Sequence, residues 1–319
     1  MVSVVPKLEP TRWITAQRPP RSATLDPHKP HAFFLEQERS GSGQILHSAT
    51  ILLTNRECPW RCLMCDLWKN TLPTSVAPGA IPEQIDFALA QLQCRPEQLK
   101  LYNSGSFFDS AAIPVPDYPA IAGLVEFARH VIVESHPRLV GDKALRLRDL
   151  LSGSLEVAMG LETIHPEVFP RLNKRFDLDH FAKAAGFLLG AGIAMRAFIL
   201  VNPPFLKEKD GIEWAVKSAA FAFGCGAGVV SLIPTRAGNG AMERLLTAGE
   251  FSPPTLSTLE TAQELALDLH AGRVFADTWD LGQFSRCPSC LEPRRQRLHT
   301  INLAQQRQPR VVCRDCDGT

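Results

Sequence analysis

The stretch Asn55-Arg56-Glu57-Cys58-Pro59-Trp60-Arg61-Cys62-Leu63-Met64-Cys65-Asp66-Leu67-Trp68 spaces three cysteines as C-x3-C-x2-C, directly after a β-rich run. Three thiolates so close in sequence can reach three corners of one cubic iron–sulfur cluster. No fourth cysteine lies nearby, which would leave one iron open. An open coordination position is what a catalytic metal centre needs and a structural one avoids. The alternative is a zinc knuckle completed by a distant fourth ligand. Trp60 and Trp68 flank the cysteines and either shield the centre or pack the core.

Outward from this loop, β-rich runs alternate with helical periodicity. Strands are expected over residues 48–54, 99–102, 131–134, 155–161, 193–201 and 229–233. Helices are expected over 82–93, 118–129, 143–151, 178–189, 211–223 and 256–270. Alternation of this kind implies parallel pairing through crossovers. The expected fold is α/β: a partial, open (β/α)6 TIM-like barrel over residues 45–284, with a small C-terminal metal-binding ribbon over 285–319. A flat doubly wound sheet is the alternative. No G-x-G-x-x-G follows the first strand, so a dinucleotide site is not supported. In parallel barrels the chemistry sits at the C-terminal ends of the strands, and the cysteine loop leaves such an end. Residues 1–44, rich in Pro, Arg and Ser, read as an extension with little structure of its own, beyond a short helix near 33–39.

Composition sets the frame. The 319 residues are 45% apolar and 21% charged, enough to bury a large core. The net charge of +1 gives no global pull toward nucleic acid or membrane. It conceals an acidic middle between two basic ends. Residues 1–10 lack the apolar block of a signal peptide. The uncharged stretch between Lys217 and Arg236 is broken by glycines and Pro234, so no membrane span is expected and a cytoplasmic location is. Nine cysteines cannot all pair, and clustered cysteines in a reducing compartment are more often metal ligands or catalysts than bridges.

The C-x3-C-x2-C loop after the first strand resembles the radical S-adenosylmethionine (SAM) superfamily. The resemblance implies a [4Fe-4S] cluster on Cys58, Cys62 and Cys65, whose open iron holds the amino and carboxylate groups of SAM. It implies an electron donor of flavodoxin or ferredoxin type, cleavage of SAM, and hydrogen abstraction by a 5′-deoxyadenosyl radical. Met64 stands where the superfamily usually has an aromatic residue against the adenine, and a thioether can pack on a ring. Ser104-Gly105-Ser106 occupies the place of the family's Gly-Gly-Glu motif, which holds the methionyl amino group. A plain turn is the alternative there. Glu134-Ser135-His136-Pro137, Gly160-Leu161-Glu162-Thr163 and Leu172-Asn173-Lys174 are similar to stretches of the Elongator catalytic subunit. That core is shared with tRNA methylthiotransferases and nitrogenase-cofactor-type proteins.

Glu134 and Glu162 would then face the barrel mouth and accept hydrogen bonds from SAM or from a cationic substrate, or be exposed loop acids. Arg196 and Arg236 are candidates for SAM's carboxylate, because Arg pairs bidentately, or for structural ion pairs. No residue is nominated as the substrate's acid or base. The runs 53–58, 66–71, 102–107 and 201–206 most resemble the archaeosine-biosynthesis radical SAM proteins. That family releases a lysine attached to a 7-deazaguanine base in tRNA.

Cys287-Pro288-Ser289-Cys290 and Cys313-Arg314-Asp315-Cys316 form two C-x2-C knuckles with 22 residues between them. Four thiolates at this spacing suit tetrahedral Zn2+, or an auxiliary iron–sulfur cluster. Arg294, Arg295, Arg297 and His299 between them would form a basic hairpin, which either grips tRNA phosphates or caps the barrel. Cys94 and Cys225 read as buried structural thiols. The competing functional class is a non-catalytic nucleic-acid-binding protein with two zinc sites.

Overall fold

The computed structural model describes residues 3–6, 8–21, 24–313 and 315. One eight-stranded sheet forms its centre, with the strands in sequence order: β1 Ala32–Arg39, β2 Ile45–Leu52, β3 Gln98–Tyr102, β4 His130–Ser135, β5 Ser154–Glu162, β6 Ala194–Val201, β7 Val229–Pro234 and β8 Arg273–Ala276. β1 and β2 are an antiparallel hairpin, and β2 to β8 pair in parallel. The crossovers hold α2 Ala80–Leu89, α3 Tyr118–Leu124, α4 Asp142–Leu150, α5 Leu178–Gly190, α6 Glu208–Gly224, and then α7 Ala241–Thr247 with α8 Leu256–Leu267. α1 Pro10–Ala16 precedes the sheet and α9 Pro288–Ala304 follows it. The architecture is the expected partial barrel, extended by a strand at each edge.

The parallel strands are near-continuous apolar runs because helices cover them. Ile51, Leu99, Leu101, Val133, Val157, Met159, Ile199 and Leu232 are all fully buried in one core. Each such side chain contributes about 1.5–3 kcal/mol on burial. Local signals set the helix starts: Asp177 caps α5 by accepting from His180 N at 2.9 Å, and Thr255 caps α8 in the same way.

The N-terminal segment departs from expectation. Residues 33–39 lie in β1, not in a helix, because Phe33 and Glu38 pair with Ile51 and Leu46 across the hairpin. α1 places Ile14 in a second small apolar cluster with Leu63, Met242, Leu245 and Phe251. The described part of the extension is therefore part of the fold.

A buried charge network lies near the N-terminal ends of the strands. Arg196 pairs with Glu38 (2.5 Å) and Glu156 (2.6 Å), and Lys100 with Glu38 (2.6 Å) and Glu36 (2.8 Å). The two cations hold the Glu38 carboxyl far below its usual range, against the upward push of burial.

α9 packs against both edge strands, β1 and β8. Asn302 accepts from Ala276 N and donates to Ala276 O, both at 2.9 Å. Gln305, which ends the helix, accepts from Val274 N at 2.7 Å and donates to Val274 O at 3.0 Å. Two side-chain amides thus stand in for a neighbouring strand. Arg39 Nη1 donates to Leu303 O at 3.0 Å and ties β1 to the same helix. Among the described residues, no helix is long and apolar enough to cross a membrane.

Candidate active site at the strand ends

The cysteine loop leaves the C-terminal end of β2 and is closed at its base. Glu57 N donates to Leu72 O, and Leu72 N to Asn55 O, at 2.9 and 2.8 Å. The buried Gln84 of α2 accepts from Thr54 N and donates to Thr54 O, both at 2.7 Å, which fixes the exit of the strand. Leu63 N donates to Leu172 O at 2.9 Å. Asn173 Nδ2 donates to Arg61 O at 2.6 Å. Asn239 Nδ2 donates to both Leu63 O (2.8 Å) and Cys65 O (3.1 Å), while its Oδ1 accepts from Met242 N (2.8 Å). Loops after β5 and β7 therefore hold the cysteine loop from two sides.

Burial pushes the Cys58 thiol up to about 12, and it raises Cys62 and Cys65 as well. Each thiolate would also raise its neighbours. Such a set becomes anionic only when a cationic centre supplies the compensating charge. The donor chemistry thus fits an iron–sulfur cluster. Buried polar atoms beside it point to a ligand too. Thr54 Oγ1, Asn55 Oδ1 and both amide atoms of Asn103 are buried without a partner at the ends of β2 and β3. Leaving such atoms unmatched costs about 1–3 kcal/mol each.

The turn after β3 lies directly against the loop. A side chain at Gly105 would start 3.2 Å from Cys58 Cβ. Glu134 shapes this turn by accepting from Asn103 N (2.6 Å) and Gly105 N (3.2 Å). Burial raises its carboxyl to about 7, against the pull of those amides. Ser104 adopts a left-handed φ of 54°. Ser106 Oγ pairs with Ser135 Oγ at 3.0 Å and accepts from His136 N at 3.3 Å.

Glu162 pairs with Lys174 at 2.5 Å, both buried. Burial would lower Lys174, but Glu162 and the thiolates of Cys62 and Cys65 outweigh it and raise its pKa. His136 stacks on Trp60 with ring centroids 3.7 Å apart and planes 2° from parallel. Its Nε2 donates to Lys174 O at 2.8 Å, so its Nδ1 is the acceptor for Arg138 N at 3.2 Å. Burial, and then the charge of Lys174, push its pKa down to about 3, so the ring is neutral. Glu57, next to Cys58, carries Arg18 and Arg21 at 2.6 Å each, and Arg18 also lies 4.6 Å over Trp68.

The structure thus brings Cys58, Cys62, Cys65, Ser104, Gly105, Ser106, Glu134 and Glu162 to one end of the barrel. Met64 packs against the small cluster that α1 completes. Arg236 lies at the same end and pairs with Asp277 at 3.0 Å. Arg196 does not join them: it sits near the start of β6, with its guanidinium committed to Glu38 and Glu156. Sequence reasoning quoted His136 and Asn173 only as parts of similar stretches, without a role, and missed Asn239 and the arginines of the extension. Gly238-Asn239-Gly240 reads as a turn before a helix, a signal for its shape but not for its contact.

At the C-terminus, Cys287 Sγ lies 3.2 Å from Cys290 Sγ and 3.5 Å from Cys313 Sγ, and all three sulfurs fall within 4.8 Å of one another. Cys316 lies outside the described residues. The segment joining the knuckles is α9, not a hairpin. Arg294 and Arg297 turn inward onto Glu260 and Glu264 of α8, which leaves Arg295 as the exposed arginine among the three. Cys94 is exposed rather than buried, and Cys225 is half-buried.

No family model matches the chain. Among solved structures, a radical SAM methyltransferase from Sphaerobacter thermophilus superposes with a TM-score of 0.54 over 86% of this chain and 82% of that one, at 14% identity. The fold is that of the radical SAM enzymes. Elp3 from Methanocaldococcus infernus superposes with a TM-score of 0.51 over 74% of this chain and 60% of that one, at 15% identity. In sequence, an uncharacterized protein of Methanocaldococcus jannaschii is 26% identical over 81% of this chain and 75% of its own length. Archaeosine synthase subunit beta from Thermococcus kodakarensis is 28% identical over 49% of this chain, and that from Methanosarcina acetivorans 26% over 65%. The matches span 51% and 63% of those two subunits.

Proposed function

We propose that this chain is a radical SAM enzyme whose Cys58, Cys62 and Cys65 hold a [4Fe-4S] cluster. The observation that carries the reading is the cysteine loop on a parallel strand end, with the Gly105 turn packed on Cys58. When bound, the cluster and SAM supply one-electron cleavage and hydrogen abstraction. The chain's own residues bind and orient. Ser104, Gly105 and Ser106 form the bed for SAM's methionyl end, and Glu134 keeps that bed in shape. Asn103 offers an unused donor and acceptor beside it. Lys174 places a positive charge next to the cysteine thiolates, and Trp60 with His136 excludes water from one side. Glu162 and Arg236 would line the mouth, and Met64, which packs against the α1 cluster, would take the place of an adenine-facing aromatic.

The substrate we assign is a modified 7-deazaguanine base in tRNA, in an archaeosine-type lysine release. Similarity to the two archaeosine synthase beta subunits supports this, and their designation as subunits favours a partner chain. An external flavodoxin- or ferredoxin-type donor would supply the electron. The C-terminal cysteines are assigned to Zn2+.

The test is anaerobic reconstitution, reduction and SAM. The parent should form 5′-deoxyadenosine and Cys58→Ala should not. Equal, negligible amounts from both would reject the enzyme. About four irons and one zinc per chain fit the proposal. Zinc in both sites would favour the nucleic-acid-binding alternative.

A further inference from the structure

The barrel rim opposite the cysteine loop carries a cavity of about 460 Å³, walled by Arg39, Arg273, His270 and the turn Ser40-Gly41-Ser42-Gly43 between β1 and β2. Main-chain carbonyls fix both guanidiniums. Arg39 Nη1 donates to Leu303 O at 3.0 Å, and Arg273 Nη1 to Arg39 O at 2.7 Å. Their second amino groups flank the turn. Arg39 Nη2 lies 3.3 Å from where a side chain at Gly43 would begin, and Arg273 Nη2 4.0 Å from the same point at Gly41.

Among the described residues, no carboxylate lines this cavity, and neither arginine has an ion pair. The acids that reach Arg273 electrostatically, Glu38 and Glu156, are already engaged by Arg196 and Lys100. Inside the turn, Gly43 N donates to Ser40 O (3.1 Å) and Gln44 N to Ser40 Oγ (3.1 Å). The amides of Gly41 and Ser42 have no acceptor among the described residues. Two fixed cations thus flank an exposed turn whose Gly41 and Ser42 amides are not used inside the described protein.

We propose that this rim binds a phosphate group, gripped by Arg39 and Arg273 and by the amides of Gly41 and Ser42. A guanidinium fork matches phosphate oxygens bidentately. The cavity opens to solvent, so a phosphate that carries a further body can enter it. That body is either a free phosphate ester or a nucleic-acid backbone. The site lies away from the cysteine loop and does not depend on the function proposed above.

The probe is pyrophosphate, titrated calorimetrically into the full chain at low salt. Two variants test the site: Arg273→Gln and Gly41→Asp. The second is safe for folding, because Gly41 has an ordinary φ and its side chain would meet only Arg273 Nη2. It sets a competing carboxylate on that arginine. Saturable binding in the parent, weakened at least tenfold in both variants, is the expected result. A tRNA transcript that displaces pyrophosphate assigns the phosphate to an RNA backbone. Pyrophosphate binding indifferent to tRNA assigns it to a free ester. No saturable binding, or equal binding by Gly41→Asp, overturns the proposal.

Discussion

Lys174 Nζ stands 2.5 Å from Glu162 Oε1 in a space that exists because residue 160 has no side chain. A Cβ at Gly160 would overlap Glu162 Oε1 and lie 2.7 Å from Lys174 Nζ. Gly160→Ala should therefore part the pair and cost about 1–3 kcal/mol. Lys174→Met, which strands a buried carboxylate, should cost more, about 3–5 kcal/mol. Thermal unfolding of the two variants gives the order, and a Gly160→Ala melt equal to the parent's would contradict the account.

Asn239 satisfies two carbonyls of the cysteine loop and one helix amide. Asn239→Ala should cost about 1–3 kcal/mol for the polar groups left unmatched. Iron retained after reconstitution should fall more than the melting temperature suggests, because the loss is local to the loop. Full iron retention would show that Asn173 and Leu172 suffice.

Glu57 neutralises Arg18 and Arg21 of the extension. Glu57→Gln should destabilise by about 2–4 kcal/mol, since it leaves partly buried guanidiniums unpaired. Proteolysis should then begin in the first 21 residues, and a protected N-terminus would count against a role for these ion pairs.

His136 makes a pH prediction. Its pKa falls from an ordinary 6.5 to about 3 in the folded chain. The unfolded chain then binds the extra proton first, so stability declines as pH drops below about 6.5 and continues to decline toward 3. At pH 5 the loss is about 2 kcal/mol. In His136→Gln, urea midpoints should flatten across that window, and an unchanged slope would assign the acid sensitivity elsewhere.

The parallel units were legible because each is local. Helix periodicity and short apolar runs place β2 to β7 and their helices within a few residues of where they lie. β1 was not legible. Phe33 to Arg39 lacks clean alternation, and its strand state comes from pairing with β2. β8 is only four residues long. Over α9, the two knuckles and the basic residues between them suggest a hairpin. What holds the helix is the match of Arg294 and Arg297 to Glu260 and Glu264 of α8, a pairing that no single segment displays. The cysteines announced themselves by spacing, as did the turn at Gly105 by its place after a strand. For Arg196 the sequence left a SAM carboxylate and a structural ion pair both open, and the structure takes the second, because bidentate chemistry says nothing about which end of a strand a residue occupies. Its partners, Glu38 and Glu156, are distant in sequence.

Metal at Cys287, Cys290 and Cys313 should anchor the start of α9 and, through it, Asn302 and Gln305. Chelation should speed hydrogen exchange at the Val274 and Ala276 amides while leaving β4 and β5 protected. Equal protection with and without metal would mean that the helix holds itself.

The same two amides bear on how copies of the chain avoid one another. A bare β8 would offer a row of unsatisfied donors and acceptors to any extended segment, the usual route to strand recruitment and fibril growth. With Asn302 and Gln305 in place, that row is spent on the chain's own helix. Under the proposed Zn2+ assignment, chelated preparations are the ones expected to self-associate on storage.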